Sequence, residues 1–478
     1  METLDKLQRE VELGRMLGPF TYKPISTLRI SPIGLVEKSY HTWRLITHLS
    51  YPKKNSVNDF IDEKVCAVKY SSFDQVLDII SGLGKSPELG KIDIRQAFRL
   101  IIINPPDFDL LGIMFDGKYY VDKCLPMGCS ISCTIFEKFS TFLHWVVEKK
   151  SGISTLDHYL DDFLFAGAAL TNDCKKFMNT FCFVSKELGI FIVENKTEGP
   201  ITKLTFLDLE IDTVLMKVKI PEENLNKLRL GIRYIMDNKK IKLKELESII
   251  GLMAFCARAI PSARAFLRRF YDLFLWVKVK KPFYYVRINQ ESKADAKAWL
   301  DFLQNVNGEC YLSDKYWLAS DTLKLYTDSA GNASFGCGAY LDGNWAQMRW
   351  PDSWSNQEFM SDLSFLELVP VVMALFIWVS EFKNKTLLMK IDNQVLVTII
   401  NKRTCKSKYV MQLLKLLVLL TMCINVQFKA VHLSGVNNEL ADSLSRFQMV
   451  RFRKVTPVAS STPADIPVEF WAIISQVK

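Results

Sequence analysis

Tyr159-Leu160-Asp161-Asp162 sits in the middle of Leu156-Asp157-His158-Tyr159-Leu160-Asp161-Asp162-Phe163-Leu164-Phe165. The run is otherwise largely apolar and patterns as a strand, a tight turn and a second strand. Two adjacent carboxylates on such a hairpin are costly. At roughly 4 Å and an effective dielectric near 20 they repel by about 4 kcal/mol, and burial adds a desolvation cost. A hard divalent ion with oxygen ligands relieves both. The plain alternative is a polar hairpin tip with both acids in water, and the large apolar residues on either side weigh against it.

Upstream, Lys91-Ile92-Asp93-Ile94 sets one acid between two isoleucines. In a strand Ile92 and Ile94 share one face and Asp93 points to the other, so a core strand presents a single carboxylate that can meet Asp161 and Asp162. Three acids suit two ions, one activating an attacking oxygen and one steadying a leaving group. Asp93 as the cap of the following turn is the simpler reading. Residues 33–46 pattern as a hairpin with Lys38 on its loop and Arg44 on its return arm. Those two cations suit a triphosphate, Arg as a planar fork and Lys as a point charge. Leu125-Pro126-Met127-Gly128-Cys129-Ser130 breaks the chain before a helical pattern at Ile135-Phe136-Glu137-Lys138-Phe139. A glycine there lets a sugar or base pair approach the backbone, or merely starts the helix.

The totals are compatible with this. The chain of 478 residues has room for two to four domains, and 49% hydrophobic with 24% charged residues describes a globular protein. Lys and Arg number 61 against 52 Asp and Glu, a net charge of +9 that fits a polyanionic partner without requiring one. Eleven scattered cysteines with no C-x-x-C pair indicate neither a disulfide framework nor a zinc ribbon. A reducing intracellular location, cytoplasm or nucleus, is expected. The start Met1-Glu2-Thr3-Leu4-Asp5-Lys6 has no signal-peptide core, and the apolar run at Leu413 to Cys423 is interrupted by Lys415, so no membrane association is expected.

Taken together, these segments resemble reverse transcriptases. The order carries the resemblance: Arg44, Asp93 with Phe98 five residues on, Leu-Pro-x-Gly at 125–128, the Tyr-x-Asp-Asp box, Lys196, then Phe206-Leu207-Asp208-Leu209. The resemblance implies that Asp93 and Asp161 hold Mg2+ directly, two ions to the site with Mn2+ an acceptable substitute, and that Asp162 is a weaker ligand. Phe98 becomes the gate beneath the sugar that excludes a 2′-OH. Lys196 becomes the proton donor to pyrophosphate, Phe206-Leu207 part of the primer grip, and Met127 and Gly128 part of the nucleotide-binding surface. Met127 stands where retroviral enzymes usually carry glutamine, and the loop between Lys38 and Arg44 is short for the family.

From 213 to 310 the pattern is helical, and Arg264, Arg268 and Arg269 alternate with Phe266, Leu267 and Phe270. Following a polymerase palm, such a stripe suits a duplex backbone. Beyond 321, Leu323 to Asp328 ends a strand on an acid, further strands flank Asp342-Gly343, and a helical stretch carries Glu367. Another strand ends on Asp392, and a last one leads through His432 to Asp442. This order resembles ribonuclease H, which implies that Asp328, Glu367, Asp392 and Asp442 surround two magnesium ions and that His432 helps product leave. Ser364-x-x-Glu367 also reads as a capping box, and Pro370 leaves that helix start open. Asp328-Ser329-Ala330 lacks the glycine of the aspartic-protease motif and has no second copy.

The expected architecture is therefore α+β and multidomain. Fingers and palm of a right-hand polymerase occupy 1–212, a helical thumb or connection 213–310, an RNase H-like α/β domain with a mixed sheet 311–448, and a Pro-containing C-terminal tail or linker 449–478. Details at 125–133, 257–267 and 438–446 look most like DIRS-type retrotransposons. The expected activity is RNA- and DNA-directed DNA synthesis with ribonuclease H. Its partners are an RNA template, a DNA primer-template, an RNA-DNA hybrid and deoxynucleoside triphosphates. The alternative is a catalytically silent nucleic-acid-binding remnant of a retroelement.

Overall fold

The computed structural model describes residues 2–38, 42–275, 277, 281, 283–305, 309–311, 318–383, 385–424, 426–433 and 438–475. The chain divides into two compact units, Met1–Leu207 with Ile211–Met216, and Asp208–Glu210 with Lys217–Lys478. Among the described residues no helix is long and apolar enough to cross a membrane.

In the first unit, β1 (Ile33–Lys38) and β2 (Thr42–Thr47) form an antiparallel hairpin in which Val36 faces Arg44. The central sheet holds β3 (Glu88–Asp93), β4 (Leu156–Tyr159), β5 (Asp162–Gly167) and β6 (Glu198–Ile201) in the order β4-β5-β3-β6, all antiparallel. It packs with α1 (Ser132–Ser151) and α2 (Asp173–Glu187). Ile92, Ile94, Phe136, Phe163, Phe165, Phe177 and Phe181 are buried in that core. Phe181 is the hub, its ring centroid 4.8 Å from Phe163 and 5.3 Å from Phe165. Period-2 alternation thus turns Ile92 and Ile94 inward and leaves Asp93 on the opposite face. A further strand, β7 (Lys203–Phe206), follows β6.

The second unit begins with helices α3 (Glu222–Asp237), α4 (Leu243–Cys256), α5 (Arg268–Leu275) and α6 (Gln290–Asn305). Beyond them come a two-residue strand β8 (Leu318–Ala319), the strands β9 (Leu325–Ser329), β10 (Gly336–Leu341) and β11 (Asn344–Arg349), and the apolar helix α7 (Leu363–Ile377). Then follow β12 (Thr386–Ile391), α8 (Lys408–Cys423), β13 (Gln427–His432), α9 (Glu439–Ser445), α10 (Met449–Val455) and α11 (Val468–Ile474).

Four features of the structure bear on these expectations. The described strands do not make one mixed sheet. They form an antiparallel ladder β9-β10-β11 and a separate parallel ladder β8-β12-β13. A strand has two edges, and β8 and β13 occupy both edges of β12.

From Lys217 onward, the stretches expected as a helical thumb and an RNase H-like domain fall in one compact unit. Lys415 on α8 donates to both oxygens of Asp295 on α6, at 2.6 and 2.8 Å, both residues being buried. A buried charge pair of this kind is strongly coupled, because removing either partner strands the other.

The arginine stripe is not a free face. Pro261–Phe266 winds as 3-10 helix before α5, Arg268 pairs with Asp272, and Arg269 reaches Asp295 at 3.5 Å and Glu291 at 3.4 Å.

Residues of the tail are packed within the second unit. Phe452 is fully buried against Trp345 at 5.5 Å, and Phe470 on α11 is buried 5.9 Å from Phe376. Arg453 also donates to the carbonyls of Ala459, Ser460 and Ser461. Proline and small residues set the composition of this segment, whereas its two aromatic side chains set its position. Phe452→Ala is therefore expected to lower stability by about 3–5 kcal/mol in denaturant unfolding. A loss below about 1 kcal/mol would fit an undocked segment instead.

Candidate active sites

The first site is built on the β4-β5 hairpin. Tyr159 and Asp162 close it as a cross-strand pair, leaving Leu160-Asp161 as the turn, with Leu160 at φ +55°. A leucine in the left-handed region costs on the order of 1–3 kcal/mol and persists only where its surroundings hold it. Here the holding bond runs from the Ile94 amide to the Asp161 carbonyl, 3.1 Å, tying the turn to the end of β3. On the other side Asp162 pairs in register with Asp93. The three acids are thus gathered at one sheet end, as the pattern predicts.

Their electrostatics follow from burial. Desolvation pushes the Asp162 carboxyl up to about 6, with further contributions from the charges of Asp161 and Asp93. Asp161 is raised first by burial and then by Asp93, while Lys196 and Arg44 pull it down. Lys196, in the 3-10 turn Glu194–Lys196, donates to Asp93 Oδ2, a bond that holds its ammonium charged. Arg44 on β2 is exposed yet close enough to act on Asp161. The Lys38 side chain lies outside the described residues.

The remaining residues expected in this site are placed as follows. Phe98 packs edge-on against Phe136 at 5.4 Å and is half-buried. Gly128 has φ +115°, and a Cβ there would lie 2.0 Å from the Thr47 carbonyl oxygen. The close approach that glycine permits is thus made by the chain itself. The Met127 carbonyl accepts from Thr47 N at 3.2 Å, and the Gly128 carbonyl accepts from Asn58 Nδ2 at 2.9 Å. Phe206 is buried at the end of β7, and Leu207 follows at φ +48°.

The support beneath the hairpin escapes a reading of motifs. His158 stacks on Phe163 at 5.2 Å, and its Nδ1 lies 2.9 Å from Nδ1 of His144 on α1. Burial, then the neighbouring imidazole, lowers the His144 pKa. Ser71 donates to Asp157 Oδ2 at 2.5 Å, and the ring of Tyr159 lies 4.7 Å from that of Tyr70. The available signal was Asp157-His158, two polar residues in a short strand whose alternation sends one to each face while both are buried.

The second site lies wholly in the second unit. Asp328 on β9 faces Gly338 on β10. A Cβ on Gly338 would meet Leu444 Cβ at 2.4 Å, so this glycine lets α9 lie close against the strand. As a result Ser445 donates to Asp328 Oδ2 at 2.5 Å. Glu367 on α7 accepts from Ser329 Oγ at 2.8 Å. The helix is capped by Asp362, whose side chain accepts from the Ser364 and Phe365 amides, and Pro370 lies within it. Glu367 is therefore not the partner of a Ser364 capping box.

Burial, then Asp328 and Asp392, pushes Glu367 well above the carboxylate range. Burial raises Asp328 to about 6; Ser445 pulls it down, while Asp392 and Asp442 add to the rise. Asp392 thus acts on both Asp328 and Glu367, and Asp442 acts on Asp328. Asp442, however, is held at both oxygens by Arg446 and Arg451, each at 2.7 Å. His432 Nε2 lies 3.1 Å from the Asp392 main-chain carbonyl rather than from its carboxylate.

No family model matches the chain. Protein P of duck hepatitis B virus (strain China) is 25% identical over 226 residues, covering 47% of this chain and 27% of that protein. Protein P of heron hepatitis B virus is 29% identical over 188 residues, 38% of this chain and 23% of the relative. The chain thus spans about a quarter of the length of these relatives.

Among solved structures, the foamy viral protease-reverse transcriptase in complex with RNA/DNA hybrid superposes with a TM-score of 0.50 at 17% identity. The superposition takes in 90% of this chain and 53% of that one. A foamy viral protease-reverse transcriptase bound to double-stranded DNA gives 0.50 at 16% identity over 88% and 68%. The fold is accordingly α+β and of the kind found in reverse transcriptases.

Hard carboxylate oxygens, desolvated and mutually repelling, are the donor set a divalent cation favours. As they stand, no three His, Cys, Asp or Glu side chains among the described residues converge tightly enough to enclose one ion. Lys196 is bonded to Asp93, and Arg446 and Arg451 are bonded to Asp442.

A raised carboxyl retains its proton in the folded state between the ordinary 3.8 and about 6. The unfolded chain releases that proton, so stability falls as pH rises through this window and stays low above it. In chelator-containing buffer, Asp162→Asn is expected to raise Tm near neutrality, and the gain is expected to vanish below pH 3.8. An unchanged Tm at neutral pH would contradict the desolvation account.

Proposed function

We propose that the chain is an RNA- and DNA-directed DNA polymerase joined to a ribonuclease H. The observation that carries this is the placement of Asp93, Asp161 and Asp162 at one sheet end, half-buried and mutually repelling, in a fold of the reverse-transcriptase kind. The proposed substrates are an RNA template, a DNA primer-template, an RNA-DNA hybrid and deoxynucleoside triphosphates. Their support is that the foamy viral structures are complexes with double-stranded DNA and with RNA/DNA hybrid.

In this reading fingers and palm take 1–212, a thumb 213–310 and the nuclease 311–448, with tail residues docked on the nuclease. An intracellular location and a DIRS-type origin belong to the same reading, the latter resting on sequence detail alone.

Asp93 and Asp161 would hold magnesium, with Asp162 beside them. When bound, the ions supply activation of a primer 3′-OH and neutralise charge on the departing phosphates. The chain's own residues do the rest. Lys196, kept protonated beside Asp93, is placed to give a proton to leaving pyrophosphate. Arg44 offers a planar fork to the triphosphate. Phe98, backed by Phe136, forms a firm wall beneath the sugar. In the second site Asp328, Glu367, Asp392 and Asp442 would hold ions around an attacking water, with Ser329 and Ser445 fixing the orientation of Glu367 and Asp328. Copying RNA leaves a hybrid, and removing its RNA frees the new strand as template.

A catalytically silent nucleic-acid-binding remnant is the second reading, and the arginine grip on Asp442 favours it at the nuclease site. Primer extension and hybrid cleavage separate the readings. Asp161→Asn is expected to reduce extension at least about a hundredfold and to spare hybrid cleavage. Asp392→Asn is expected to do the reverse. Loss of both activities in either variant would contradict two independent sites, and absence of both in the unaltered chain would establish the remnant.

A further inference from the structure

We propose that the outer face of α1 and α2 is a binding surface for single-stranded nucleic acid, built from residues that neither carboxylate site uses. On α1, Lys138, Phe142, Trp145 and Lys149 recur at helical spacing on one face, and all four are exposed. Phe142 and Trp145 are 50% and 54% exposed, and their rings stack on each other with centroids 6.4 Å apart at 30°. On α2 the outer face presents Lys175, Lys176, Asn179, Phe183 and Lys186, with Phe183 55% exposed. Lys150, at the end of α1, sets its ammonium 5.2 Å from the Phe183 ring and so joins the two helices. Between them lies an open cleft of about 690 Å³ lined by Lys150, Lys175, Lys176, Asn179, Thr180 and Phe183, and no acid lines it.

A fold gains nothing by leaving three large aromatic rings in water. Lys138 and Lys149 share the helix face of Phe142 and Trp145, Lys150, Lys175 and Lys176 line the cleft with Phe183, Lys186 follows Phe183 on α2, and none of these six is ion-paired among the described residues. Nearby acids are few. Glu148 is turned to His144 at 3.3 Å, Asp173 is half-buried, and only Glu187 is exposed.

Six lysines select a polyanion and oppose two copies of this face meeting each other. Exposed rings beside them select a polyanion with free π-faces. A duplex hides its bases, and an acidic peptide would satisfy the lysines while leaving the stacking face unused. Aromatic platforms combined with a cationic track are how single strands are held without sequence preference.

The test measures fluorescence anisotropy of the full chain with a mixed-sequence single-stranded RNA, the matching DNA single strand and the duplex. Chelator is present, so the readout does not depend on either carboxylate site binding metal. Trp145→Ala is expected to weaken both single strands roughly tenfold. The double variant Lys175→Glu with Lys176→Glu is expected to flatten the salt dependence of single-strand binding by about 1.4 in log-log slope. Duplex affinity is expected to stay unchanged in both.

Because the lysine variant alters only exposed side chains, it keeps the test valid should Trp145→Ala misfold. Unchanged single-strand affinity and slope would overturn the proposal, as would equal losses for duplex and single strands. Conversion of a dimer to a monomer by either variant in sedimentation, without a change in single-strand affinity, would assign the face to a second copy of the chain. Loss of binding to a polyglutamate probe alone would assign it to an acidic protein.

Discussion

Both candidate sites depend on carboxylates held where water solvates them poorly. Asp161 and Asp162 cannot move apart, because the turn that carries them is pinned to Ile94 and the strand behind it is locked in register with β3. Asp328 and Glu367 are fixed in the same way, by serines and by a helix that closes over Gly338. Each arrangement stores repulsion and desolvation cost in a frame too well packed to relax. Proton binding or cation binding releases that cost, and so the raised carboxyls describe an appetite for positive charge rather than a defect.

The first site was legible because its information is local. Period-2 alternation places Asp93 opposite its isoleucines, and a two-residue turn between apolar arms places Asp161 and Asp162, so register alone brings the three together. The second site was legible only through resemblance. Asp328, Glu367, Asp392 and Asp442 come from separate elements, and the approach of α9 to β10 at Gly338 is what brings the Asp442 helix to Asp328. Nothing in the local pattern marks that glycine. Arg446, four residues after Asp442 on one helix face, could have been read as a partner; Arg451 sits on the next helix and could not.

Where the sequence misled, composition had stood in for packing. The tail contains enough proline and small residues to pass for linker, yet Phe452 and Phe470 each find an aromatic pocket. The stripe of Arg264, Arg268 and Arg269 looked like a phosphate track, and for two of its members the decisive partners are Asp272, one turn on, and Asp295, on another helix. Phe206, expected as a contact residue by position, is buried at the end of β7. A count of charges or prolines is blind to partners that arrive from elsewhere in the chain.

The distribution of basic partners within each site carries one more step. In the first site Lys196 bonds Asp93, and in the second Arg446 and Arg451 bond Asp442. Among the described residues no lysine or arginine bonds Asp161, Asp162, Asp328 or Glu367, and these four are the acids whose carboxyls burial raises. Compensation by direct bonds therefore sits on Asp93 and Asp442, through side chains that reach solvent, and not on the four acids whose carboxyls are raised. Ion pairs at a solvent boundary contribute little and exchange easily. Positive charge brought to either site would therefore gain most at the acids that no lysine or arginine bonds, and would compete only with these weak solvent-facing pairs.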